Sequence, residues 1–339
     1  MRGETRMLAY KRLNLDDVNW DELDRFPDRT IYQTRPWLEF VSDCQRGEPV
    51  VAALYESSEL AGYFTGLIVR KMGLRVLGSP FPGWTTAYMG FNLLPGVSRR
   101  QALEGLTQFA FRDLRCVHLE LMDRFMTEED YDGLGFECAP FDGFEIDLTK
   151  TENELLAAMP KRRWAINKAR RNGVVVEEAD DPRFADDYYE QLRDVFAKQS
   201  LVPTYDIERV RALIRHVCPT GALLLLRARD PNGVCIATAI SFGMYGRAYL
   251  WGNASFRRYQ HLRPNEPVKW HEMRYWKSRG MRVCDMLGGG EYKLHYGAYR
   301  ITVPWLRKSR YQALSGLRST AQKIVAFKQS MAGALIRRR

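Results

Sequence analysis

ALLLLRARDPNGVCIATAISFGMYGRAYLWGNAS, residues 222–255, is the stretch that decides the fold. Two apolar runs flank Asp230-Pro231-Asn232-Gly233. Proline presets a turn φ and glycine accepts a positive one, so the runs are expected to fold back as an antiparallel hairpin. The run RAYLWGNAS is expected as a third strand. Upstream, DDYYEQLRDVFAKQS and DIERVRALIRHVC carry helical spacing, and downstream come the helix NEPVKWHEMRYWKSRG, the strand MRVCDML and the closing YGAYRITVPWL.

The first half of the chain runs in the same order. TIYQTRPWLEFVSDC opens as a helix, PVVAALYES and LAGYFTGLIVR form a hairpin about Ser57–Glu59, and a third strand leads into a Gly/Pro-rich loop spanning Gly78 to Gly96. The helix SRRQALEGLTQFAFRDL, the strand CVHLELM and the segment LGFECAPFDGFEIDL complete it. Val51 and Leu223 therefore occupy matching places, and so do Leu119 and Cys284. This is one duplicated domain, not a short solenoid repeat. A chain of 339 residues is longer than one core usually supports, which agrees with two domains.

Apolar residues at 45% and aromatics at 12% are ample for packed cores, so low-complexity disorder is set aside. Lys plus Arg number 51 against 41 Asp plus Glu, a surplus that favours anionic partners without choosing one. Six scattered cysteines without a CxxC pair, and five scattered histidines without HxH or HExxH, leave no metal-site spacing. The cysteines read as buried thiols in a reducing compartment. MRGETRMLAYKRLNLDD lacks a signal-peptide core and no stretch approaches a membrane span, so a cytoplasmic protein is expected, free to touch the inner membrane face.

Thr151 and Glu154 form a capping box between the halves. Pro160 suits the first turn of the next helix and Asn172-Gly173 its end. That helix, PKRRWAINKARR, holds Lys161, Arg162, Arg163, Lys168, Arg170 and Arg171 with Trp164 among them. Ala165, Ile166 and Ala169 share an arc that can dock, with Arg162 intruding on it. The other cations have no acidic i+4 partner, so they repel one another unless an anion joins them.

Several segments resemble one family. YQTRPWLEF resembles the opening helix of the FemAB-like branch of GNAT acyltransferases, in which two GNAT domains stand in tandem. MPKRRWAINKARRNGV is similar to its basic segment, K-x-R-x-x-I-x-K-A-x-x-x-G-V. YLWGNAS, PNEPVKWHEMRYWKSRGMRVCDMLGG and EYKLHYGA resemble its aromatic strand, Pro-led helix, D-x-x-G-G strand end and closing F-K-x-x-F-G element. The resemblance spans about residues 28–308. It implies an α+β fold of two GNAT-like domains, each a mostly antiparallel twisted sheet flanked by helices. The expected boundaries are 1–148 and 149–308, with a basic amphipathic helix over 309–339 packed on the first domain or set against a membrane surface.

The resemblance also implies acyl transfer to an amine, with acyl-CoA or aminoacyl-tRNA as donor and no metal. One departure stands out. A standard GNAT pyrophosphate loop, R/Q-x-x-G-x-G/A, should precede the long second-domain helix, yet no glycine lies between Ser255 and Trp270.

Lys293 matches the family's closing-motif lysine and follows Gly288-Gly289-Gly290, a run able to form an anion nest. Asp285 and Glu291 are general-base candidates, or turn carboxylates. Lys198, Gln199 and Tyr205 lie where the family places a polar loop over the acceptor. Tyr249, Trp251 and Asn253 alternate and should share one strand face, which suits a sugar ring stacked on aromatics, or else a core. Arg35 is an anion candidate beside Trp37, itself expected in the core.

Arg163, Lys168 and Arg170 are expected on the outward side of the basic helix, against a phosphate-bearing substrate such as a nucleotide-linked or lipid-linked sugar, or the donor's own phosphates. Three functions compete: acylation of an amino sugar or cell-surface glycan precursor, Fem-type aminoacyl transfer from tRNA to a peptidoglycan precursor, and nucleic-acid binding through residues 161–171. The last predicts a steep salt dependence and has no fold signature in its favour.

Overall fold

The computed structural model describes residues 8–81, 83, 86–197 and 201–311. In chain order the elements are β1 (Ala9–Leu13), α1 (Trp20–Leu23), α2 (Arg35–Gln45), β2 (Glu48–Glu56), β3 (Glu59–Lys71), β4 (Leu74–Ser79), β5 (Gly90–Leu93), α3 (Arg99–Gln108), β6 (His118–Met122), α4 (Glu128–Tyr131) and β7 (Glu137–Asp147). There follow α5 (Glu152–Ala157), α6 (Pro160–Arg171), β8 (Val175–Glu178), α7 (Phe184–Ala197), α8 (Ile207–Val217), β9 (Leu223–Arg229), β10 (Cys235–Met244), β11 (Arg247–Ser255), α9 (Asn265–Ser278), β12 (Val283–Asp285) and β13 (Tyr299–Ser309). The chain divides into two compact units. One holds the residues up to Asp142 together with the strand from Thr302, and the other holds Gly143–Ile301. Residues 312–339, and with them nearly all of the expected terminal helix, lie outside the described residues.

In the first unit the strands run β1-β2-β3-β4-β6-β13, antiparallel apart from β4 beside β6. The β2–β3 hairpin turns at Ser57, whose φ is 59°. β4 pairs with Leu67–Lys71 of β3 and β5 with Gly62–Thr65, so the two strands are bonded to one neighbour. Ser98 caps α3, which runs into a single π turn at Phe109–Asp113. Phe64, Phe91, Leu103, Leu106 and Leu119 form the core beneath it.

In the second unit the order is β7-β12-β11-β10-β9-β8. Asp230 closes the expected β9–β10 turn, its carboxylate accepting from the N–H groups of Asn232 (3.0 Å) and Val234 (2.9 Å). One sheet face takes α9 through Met273 and Trp276, packed on Leu224, Leu226, Ile236 and Leu250. The fit is tight, because a Cβ on Gly243 of β10 would lie 2.4 Å from the Trp276 ring. The other face takes α7 through Tyr188, Gln191 and Leu192, all buried.

The capping box forms reciprocally, with Glu154 N–H on Thr151 at 3.3 Å and the Glu154 carboxylate accepting Thr151 N–H at 2.7 Å. Pro160 opens α6 and Gly173, with φ 73°, follows its last turn. Each unit is thus a mostly antiparallel sheet flanked by helices.

Candidate active site

In the second unit β11 and β12 form a parallel pair, and it is short. β11 and β12 pair only at Arg247–Val283, Ala248–Cys284 and Tyr249–Asp285. Beyond Tyr249 the strands part, while β11 stays bonded to β10 as far as Ser255. No described strand covers the other edge of residues 250–255. Backbone polar groups along such an edge are open to an extended ligand.

A β-bulge sits at this point. Ile240 pairs with Gly252 but Ser241 with Leu250, leaving Trp251 as the extra residue. Because side chains alternate with a period of two, an extra residue flips every position beyond it. Tyr249 therefore faces the α7 side with Phe242, its ring centroid 5.5 Å away, whereas Asn253 lies on the α9 side of the sheet. Its amide donates to the Thr238 carbonyl at 3.0 Å. The expected common face of Tyr249, Trp251 and Asn253 does not exist, and Tyr249 is fully buried.

Trp251 belongs instead to a cluster from α7 and α8. The Tyr205 ring lies 5.7 Å from it, and the Arg209 guanidinium sits 5.3 Å over Tyr205. The Tyr205 hydroxyl meets that of Tyr188 at 2.9 Å, and Tyr189 donates to the Tyr205 carbonyl at 3.1 Å. Burial pushes the pKa of both Tyr188 and Tyr205 up, so this pair stays neutral. Gly252 makes room for it, since a Cβ there would lie 2.4 Å from the Tyr188 oxygen. Sequence reasoning found Tyr205 and Trp251 but missed Tyr188, Tyr189 and Arg209. The adjacent tyrosines of DDYYEQ were the only signal. Lys198 and Gln199 lie outside the described residues.

Asp285 ends β12, fully buried, and accepts the Leu287 N–H at 2.7 Å. Lys293 follows in a short 3₁₀ segment, Glu291–Tyr296, and is only 6% exposed. Its ammonium donates to the carbonyls of Met286 (2.9 Å), Leu287 and Gly288 (2.9 Å). A lysine ammonium has three donors, and here all three are spent on backbone. Burial pushes its pKa down to about 8, with Asp285 pulling the other way. Glu291 is exposed and ion-paired with Arg300. Of the three predicted catalytic groups, one is a buried turn carboxylate, one a loop clamp and one a surface ion pair. Behind them Arg247 and Tyr299 bind Glu145, the phenol at 2.9 Å, and Lys269 stands 3.5 Å from the buried Glu272.

Helix α6 docks through Ala165 and Ala169, as its arc predicted. Arg162 is half-buried, ion-paired to Glu266 at 3.1 Å and stacked 4.7 Å from the centroid of Tyr296. Lys168 does not share the flank of Arg163 and Arg170. It stands 5.3 Å over Trp164, about 140° round the helix from Arg163. Lys161, Arg163, Arg170 and Arg171 are exposed, with no ion pair to a described residue. An open groove of about 540 Å³ runs between α6 and the start of α9, lined by Pro160, Lys161, Arg162, Trp164, Ala165, Arg263 and Glu266.

The start of α9 does not supply a pyrophosphate cradle. The first turn of α9 contains Pro267 and is preceded by Pro264, neither of which has an N–H. Glu266 already places a carboxylate at this helix start. Backbone amides thus do not fit a pyrophosphate here, while the side chains of Lys161 and Arg263 do fit an anion. Among the described residues no cluster of His, Cys, Asp or Glu could hold a metal, and no helix is long and apolar enough to cross a membrane.

In the first unit Arg35 is held by Asp16 and Glu39, each at 2.8 Å, so its charge is already matched. Trp37 is buried and donates to Thr86 at 2.9 Å. His118 contacts Ser309 at 2.8 Å and Glu120 at 3.4 Å. His118 and Ser309 are register partners, so adjacent strands alone impose that row.

The parallel pair that parts, the bulge beside it and the long helix that follows define an acyltransferase fold, and the comparisons agree. Residues 161–297, which lie in the second unit, match the acetyltransferase (GNAT) domain family, so that unit carries a GNAT-type acyltransferase domain. The architecture of the chain is FemAB-like. FemX is similar at TM-score 0.69 and 13% identity, over 87% of this chain and 96% of FemX. The C-terminal domain of a putative lysylphosphatidylglycerol synthetase from Agrobacterium fabrum gives 0.59 and 10%, over 91% and 98%. A tandem GNAT protein from the clavulanic acid biosynthesis pathway gives 0.56 and 11%, over 89% and 98%. No curated protein matches the sequence.

Proposed function

We propose that the second unit transfers an acyl group to an amine of a phosphate-bearing amino sugar or cell-surface glycan precursor. One observation carries the substrate class: Lys161 and Arg263, with no ion pair to a described residue, line a groove with Trp164 at the start of α9. Arg263 in particular can grip phosphate oxygens in pairs. Trp164, 53% exposed, supplies an apolar wall for the body of the substrate. The acyl chain would lie along the open edge of β11, with the acceptor against Trp251 and Tyr205.

In the reaction the amine nitrogen attacks the carbonyl carbon of a thioester or ester. A C–N bond forms and the C–S or C–O bond breaks. The amine gives up a proton and the leaving sulfur or oxygen takes one. Positioning supplies most of the rate in this reading.

Aminoacyl-tRNA remains the second donor reading, favoured by α9's lack of pyrophosphate-binding amides and by the likeness to FemX. Contact with the inner membrane face would suit a lipid-linked acceptor, and the likeness to a lysylphosphatidylglycerol synthetase domain supports that.

The test is mass spectrometry of the protein incubated with acetyl-CoA or an aminoacyl-tRNA and a nucleotide-linked amino sugar or lipid-linked glycan precursor. Amide product from the first donor supports glycan acylation, and from the second the Fem-type reaction. RNA or DNA binding without amide product from either donor would overturn both.

A further inference from the structure

The loop between β12 and Lys293 has a geometry that its glycines alone do not explain. In a trans peptide the C=O and N–H point in opposite directions. Met286, Leu287 and Gly288 turn three successive carbonyls onto the Lys293 ammonium. The N–H groups in those same peptide planes belong to Leu287, Gly288 and Gly289, so all three point away from the lysine. Asp285 takes the first at 2.7 Å. Among the described residues nothing accepts from the other two. The loop is uncrowded there, since a Cβ built on Gly288 or Gly289 meets nothing within 4 Å.

The strand end alone does not produce this arrangement. In the first unit Asp123 directly follows β6, which lies beside the parallel β4, and accepts the Phe125 N–H at 2.8 Å, as Asp285 accepts that of Leu287. There the carboxylate is bonded by Arg99 at 2.7 Å, and the loop has no glycine run. Only the second unit couples the capped strand end to a buried lysine that gathers carbonyls.

We infer that the adjacent Gly288 and Gly289 amides bind the carbonyl oxygen of the transferring acyl group, and that Lys293 is the positioning residue that aims them. The inference rests on the acyl-transfer reading. Tyr249 and Asp285 are register partners, so this loop leaves the sheet beside the point where β11 becomes an open edge. As the amine lone pair adds to the carbonyl carbon, the C=O π pair moves onto oxygen. The oxyanion accepts from the two N–H groups, then collapses, reforming C=O and expelling the thiolate or alkoxide. Donors fixed beforehand are worth far more than donors that must reorganise. Lys293 itself has no N–H left to give.

The direct test uses inorganic phosphate as an oxyanion probe and protein labelled with [15N]glycine. Gly289→Ala deletes one amide signal and so assigns it. The Gly288 and Gly289 signals should shift saturably with phosphate in the wild type and stay still in folded Lys293→Met. Absence of any shift, or the same shift in Lys293→Met, would overturn the site. Gly289→Pro lacks the N–H and should lower kcat for amide formation about 100-fold with little change in KM. A retained kcat would overturn the oxyanion role. If phosphate moves both amides but no donor yields amide product, the reaction reading fails and the anion site stands.

Discussion

Arg162 and Glu266 meet at 3.1 Å where α6 crosses the start of α9, and the same guanidinium stacks on Tyr296. One of the six cations on α6 is therefore a fastening. Glu266→Gln removes its counter-charge at a carboxylate only 6% exposed. It should lower unfolding free energy by about 1–3 kcal/mol, the upper part muted because Arg162 reaches water. The double variant Arg162→Met/Glu266→Leu should recover much of that. Urea midpoints measure it, and an unchanged midpoint for Glu266→Gln would mean that the helix docks by its alanines alone.

Gly252 lies against Tyr188 on the bulged strand. Gly252→Ala should cost about 1–3 kcal/mol by overpacking. Adding Tyr188→Phe removes the colliding oxygen and should return part of the loss, leaving Cβ 3.1 Å from the ring carbon. Thermal melts of the two variants decide it. Equal losses would show that the strand, not the tyrosine, absorbs the new methyl group.

Lys293 gives a pH signature. Its folded pKa is lowered from 10.5 to about 8. Below pH 8 both folded and unfolded chains hold the proton, and the cost of burying the charge is fully present. Between about pH 8 and 10.5 the unfolded chain binds more protons than the folded one, so stability from this group rises with pH. Wild type should therefore gain stability relative to Lys293→Met between pH 7.5 and 9.5. Parallel denaturation profiles would contradict the shift.

Much of this architecture was legible. The hairpin about Asp230–Gly233, the repeated element order, the Thr151–Glu154 box and the docking arc of α6 all follow from local chemistry and period. What was not legible depended on distant partners. Arg162 looked like an intruder on the apolar arc because Glu266 is far along the chain. Period-two counting put Tyr249 and Asn253 together because it took no account of the bulge at Trp251, for which Gly252 was the one sequence signal. Lys293 was recognised from its motif, but its three carbonyl partners belong to the folded loop. The tyrosine pair behind Tyr205 needed the packing of α7 on β11.

The most direct test of the account is titration calorimetry of coenzyme A and a nucleotide-linked amino sugar onto the wild type and onto Lys161→Glu/Arg263→Glu. The account predicts that at least one ligand binds the wild type. The double reversal should weaken that ligand by about 1.5–3 kcal/mol per lost charge-assisted bond, with thermal stability little changed. Binding to the double variant as tight as to the wild type would contradict it.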